Sequence, residues 1–74
     1  MNRSYKLPNG ELIFVFDSHS SVYPPWRIGF VKKSKYGRSI VTYPPFRNKR
    51  FITEIDAILA LQRYAEANGL EPAY

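Results

Sequence analysis

Asp17, Ser18 and His19 are the three residue types of a hydrolytic relay, and they stand side by side in this 74-residue chain. A relay needs acid, base and nucleophile to converge from separate positions, each hydrogen-bonded to the next. Consecutive residues at a strand end point in alternating directions instead, so His19 is expected to be a solvated loop residue. The sequence has no glycine-rich phosphate loop, no paired catalytic carboxylates and no ligand-spaced metal cluster. Cysteine is absent and His19 is the single histidine, which excludes a disulfide framework and a structural zinc site. A binding protein is expected, not an enzyme, with no cofactor and no metal.

Cations and aromatics are the residue types left to carry a function. The formal charge is +5, with acids at Glu11, Asp17, Glu54, Asp56, Glu66 and Glu71 and none between Ser18 and Thr53. That acid-free window holds Arg27, Lys32, Lys33, Lys35, Arg38, Arg47, Lys49 and Arg50. A field of one sign over half the chain draws polyanions: nucleic acid, an acidic protein surface or anionic headgroups. A solubilising surface is the plainer alternative.

The aromatics include an internal echo, Tyr23-Pro24-Pro25-Trp26-Arg27 and Tyr43-Pro44-Pro45-Phe46-Arg47. Paired prolines hold the backbone extended and remove two donors, so regular strand pairing should lapse at both sites. One reading makes them strand terminators whose aromatics complete the core. The other makes Tyr23, Trp26, Tyr43 and Phe46 an exposed aromatic rim beside arginines, suited to stacking and phosphate contact.

These residues need a scaffold, and 74 residues allow one small domain that must fold on apolar burial alone or partly on a partner. Twelve aromatics are its main resource. Residues 1–7 are expected to be loose, Pro8-Asn9-Gly10 to turn, and Glu11 to Asp17 to form a buried strand, apolar on both alternating sets. From Trp26 to Lys33 the alternation sets Trp26, Ile28 and Phe30 on one face and Arg27, Gly29, Val31 and Lys33 on the other. Ser34-Lys-Tyr-Gly37 reads as a hairpin turn, and Arg38 to Tyr43 returns as a third strand. The sheet is thus expected over 11–46 as an antiparallel meander.

A helix is expected over 53–68. Thr53 is an N-cap with Asp56 three residues on, and Ile55, Ile58, Leu59, Leu61, Tyr64 and Ala65 form a broad apolar face. Asn68-Gly69 and Pro72 stop it, Leu70 folds back on it, and 70–74 is a tail. The fold class is therefore α+β, a three-stranded antiparallel sheet packed on one C-terminal helix, with its second sheet face outward. Arg27, Lys33 and Arg38, with Lys32 and Lys35 at the hairpin, would line a ribbon of the size that enters a major groove. Lys49 and Arg50 precede the helix, where its N-terminus favours a phosphate. The longest apolar run near the start, Leu12 to Phe16, is too short for a signal-peptide core or a membrane span. A soluble cytoplasmic protein that makes no membrane contact is expected.

The stretch Phe51-x-Thr53-Glu54-x-x-Ala57-x-x-Ala60, with Trp26-Arg27-Ile28-Gly29-Phe30, resembles the strand-to-helix signature and tryptophan-led second strand of AP2-type DNA-binding domains. Ile52-Thr53-Glu54 followed by Ala57-Ile58 is also similar to the amino-terminal arm-binding domains of phage integrases. The resemblance covers roughly residues 23–67 and implies a three-stranded sheet laid in the major groove with the helix behind it, Arg27 as a sheet-face DNA contact, and a phage or mobile-element origin. Asn48-Lys49 departs from the leucine–glycine usual there, which leaves the third strand's register open. The partner expected first is double-stranded DNA. The alternatives are an acidic protein, bound by an adaptor or inhibitor of phage type through the basic and aromatic surface, and single-stranded nucleic acid or RNA held by stacking. The sequence leaves oligomeric state open.

Overall fold

The computed structural model describes residues 3–18 and 23–73. The expected loop residue His19 lies outside them. In chain order the elements are β1 (Ser4–Lys6), β2 (Leu12–Asp17), β3 (Trp26–Ser34), β4 (Gly37–Thr42), a 3-10 turn (Pro44–Phe46), α1 (Glu54–Asn68) and β5 (Glu71–Pro72). The fold is α+β with one C-terminal helix and an antiparallel sheet, but the sheet has five strands, in the order β4-β3-β2-β1-β5. The expected three are its β2, β3 and β4.

The two added strands come from the segment expected to be loose, 1–7, and the one expected to be a tail, 70–74. Tyr5 pairs with Ile13 and is buried, so one aromatic among polar neighbours is enough to bring β1 onto the sheet. β5 then pairs with β1, Tyr5 with Pro72 and Lys6 with Glu71. Proline is tolerated there because the strand is an edge. The Ser4 carbonyl accepts from the Ala73 amide at 3.1 Å, and the Ser4 hydroxyl donates to the Ala73 carbonyl at 2.9 Å.

Strand alternation sorts the sheet into two faces. Ile13, Val15 and Ile28, with Tyr5, bury against Ala57, Ile58, Leu61 and Ala65 of α1. The helix starts where its cap predicts, since the Thr53 hydroxyl accepts from the Asp56 amide at 3.1 Å. It ends at Gly69 in the left-handed region, φ 65°, and the Leu70 amide donates back to the Ala65 carbonyl. Its apolar face is broader than the sheet beneath it. Ile55 and Leu59, expected in the core, are exposed.

Candidate nucleic-acid interface

Among the described residues no helix covers the second face. Register and alternation place Lys6, Leu12, Phe14, Phe16, Arg27, Gly29, Val31, Lys33, Arg38, Ile40 and Thr42 there. Lys33 and Arg38 are direct cross-strand partners. β2, expected to be buried on both sets, buries Ile13 and Val15 and leaves Phe14 and Phe16 half-buried on this face. Their rings meet edge to face, 6.2 Å between centroids. Sequence reasoning did not single out these two phenylalanines as site residues, because a strand apolar on both sides reads the same whether one face or two are covered.

The basic character concentrates where the sheet narrows. β2 pairs with β3 as far as Phe30, and from Val31 to Ser34 β3 pairs with β4 alone. The hairpin therefore runs past the sheet as a two-stranded ribbon. Every residue from 32 to 40 is exposed. Lys32, Lys33, Lys35 and Arg38 stand on it without a carboxylate in the segment. Among the described residues Arg3–Glu54 is the ion pair formed, and it lies elsewhere. At the tip, Tyr36 is 88% exposed, with the Lys35 ammonium 5.1 Å from its ring centroid. Gly37, at φ 121°, makes the turn. Alternation sends Lys33 and Arg38 to one side of the ribbon and Lys32, opposite Ser39, to the other.

The other four candidate cations lie at the far end of β3. There the chain leaves β4, makes the 3-10 turn and returns so that Phe51 bridges Trp26, exchanging backbone hydrogen bonds of 2.9 and 3.2 Å. The Arg27 guanidinium donates to the Arg47 carbonyl, and Arg50 donates to the Pro24 carbonyl at 3.2 Å. The two proline segments thus do lie together, the first held to the second by Arg27 and to the stretch after it by Arg50. Burial, and then the neighbouring Arg50 charge, lower the Arg27 pKa from its ordinary value. The Arg27 Nε is buried with no hydrogen-bond partner. Arg27, expected as a free sheet-face contact, is thus committed to holding this loop. Arg47 and Lys49 are exposed, and Arg50 is half-buried. An open groove of about 890 Å³ connects the two clusters, with Arg27, Lys32, Lys33 and Arg47 in its lining and Glu11 as its one acid.

An aromatic rim does not form. Phe46 is buried, and Trp26 and Tyr43 pack against the core, while Tyr23 alone of the four is exposed. Phe30, Tyr43, Tyr64 and Phe46 make a chain of edge-to-face rings with centroids 5.4 to 5.9 Å apart. The Tyr43 and Tyr64 hydroxyls share a 3.3 Å hydrogen bond. The second proline pair is a 3-10 turn rather than extended chain, and the Tyr23–Pro24 bond is cis. Completing the core is what Trp26, Tyr43 and Phe46 do.

Among the described residues no group of His, Asp and Glu is placed to hold a metal ion, and no helix is long and apolar enough to cross a membrane. No family model, curated protein or solved structure matches the chain.

Proposed function

We propose that the protein binds double-stranded DNA by laying the β3–β4 ribbon in the major groove, with the uncovered sheet face alongside. The observation that carries this is the projection of the hairpin past Phe30 with four exposed cations and no acid. A two-stranded ribbon fits a groove about 12 Å wide. Cations on both of its sides meet the phosphates of both walls, while Tyr36 and Ser39 supply hydroxyls for base edges and the Ser34 hydroxyl holds the turn. The AP2-like and integrase-like stretches support the same geometry, a sheet on DNA with a helix behind. Arg27 takes no direct part in this contact, and Arg47 and Lys49 extend it toward the flanking backbone.

Fluorescence anisotropy on a labelled duplex, titrated with salt, tests the proposal. Four phosphate contacts give a log–log slope of about −4. No binding at low salt, or a flat salt response, overturns it.

A second reading rests on a different observation, the Phe14–Phe16 pair on the uncovered face. Aromatic rings on an open sheet suit stacking of unpaired bases. Competition separates the two. A single strand that displaces the duplex at lower concentration, with affinity lost in Phe14→Ala and kept in Lys33→Ala, favours this second mode. A stoichiometric acidic protein captured after nuclease treatment would favour the adaptor reading instead.

A further inference from the structure

The helix carries an apolar surface that the sheet does not use. Ile52, just ahead of α1, is 60% exposed, and Ile55 and Leu59, one turn apart on its solvent side, are 56% and 40% exposed. Single exposed aliphatics are ordinary, but three together on one short element are not. The charges around them are arranged by position. In the first turn of α1 Glu54 is paired with Arg3, Asp56 is exposed, and Arg63 lies two turns further on. Over the whole helix three acids stand against one base, with Arg3 of β1's flank paired to one of the acids.

From this we infer that a second copy of the chain docks here, with the two α1 helices antiparallel. Antiparallel pairing sets Ile55 and Leu59 of one copy on Leu59 and Ile55 of the other. It also carries Arg63 of each copy toward Asp56 of its neighbour, on the same flank of the stripe, twice by symmetry. The helix dipoles oppose, which favours the same direction. Apart from Arg3, which is paired with Glu54, and Arg63 itself, the cations that would repel a second copy lie on β1, the ribbon and the β3 loop. Ala57, Ile58, Leu61 and Ala65 stay on the sheet, so both uncovered sheet faces turn outward and remain open. A helix of 15 residues is about 22 Å long and presents a contact below the usual size of a permanent interface, so the dimer is a weak one.

Sedimentation velocity between about 10 and about 1000 µM, a range chosen for an interface at the small end, reads the association. The wild-type chain moves from 8.6 kDa toward twice that mass as concentration rises. Leu59→Glu stays monomeric throughout with an unchanged melting curve, because that side chain is outside the core. Arg63→Glu weakens association, and adding Asp56→Arg restores it. A wild-type chain that is monomeric at every concentration overturns the inference. So does a dimer that survives Leu59→Glu, which would assign the contact to the apolar sheet face. Duplex affinity per chain is the same in wild type and Leu59→Glu, so loss of the dimer and loss of DNA binding are read separately.

Discussion

Gly29 is boxed in from two sides. A Cβ built there would lie 2.5 Å from the Val41 carbonyl oxygen and 2.6 Å from Cε1 of Phe16. The Phe16 ring fills the place of the missing side chain on the uncovered face, so a glycine inside a strand is here a close approach of backbone and ring. Gly29→Ala is expected to cost about 1–3 kcal/mol, read as a lower urea midpoint. Adding Phe16→Ala recovers only part of it, since the Val41 carbonyl cannot move aside without breaking the β3–β4 ladder. Tyr43 gives a second prediction at this scale. Burial, the hydrogen bond and charge of Tyr64, and then Glu11 push its pKa up to about 12 from 10.0. The folded state then keeps a proton that the unfolded chain releases, so the contribution is complete below pH 10 and lost as pH rises toward 12. Thermal melts across that range should fall steeply in the wild type and less steeply in Tyr43→Phe.

Among the elements, the β3–β4 hairpin is where the proposed function can be separated from the fold. Lys33→Ala with Arg38→Ala removes two exposed cations that face each other across the ladder. The pair is expected to leave the melt nearly unchanged and reduce the salt slope of duplex binding by about 2. Arg27→Ala should do the reverse, lowering the melting temperature by releasing the Arg47 carbonyl while changing affinity little. Binding that survives the ribbon pair intact would move the site off the hairpin. The contrast also shows what the sequence could reveal. The ribbon's cations were legible because alternation from Trp26 to Lys33 and a glycine-ended turn are local signals. The α1 boundaries were legible for the same reason, Thr53 and Gly69 being local caps. The role of Arg27 was not, since it depends on a loop that returns twenty residues later to offer a carbonyl. The surplus of apolar residues on α1 was visible, but which of them the sheet would cover depends on the width of the sheet.

The molecule as a whole is tied together by strands too short to be seen in isolation. Ser4–Lys6 has one apolar side chain, and Glu71–Pro72 has a proline and an acid. Neither carries a period long enough to register, and each becomes a strand only against a neighbour distant in the chain. Tyr5 is nonetheless part of the core. In a domain this small, with a total stability of a few kcal/mol, Tyr5→Ala is expected to cost about 3 kcal/mol or more and to leave the chain largely unfolded by circular dichroism.

The β1–β5 clasp also decides how the fold answers to mechanical load. Ser4 and Ala73 lie beside each other where an antiparallel pair begins. Tension applied between the two termini therefore opens that pair like a zipper, one rung after another, and never loads its rungs in shear. The sheet should peel from the β5 edge at low force, while the β3–β4 hairpin, at the opposite edge, yields last.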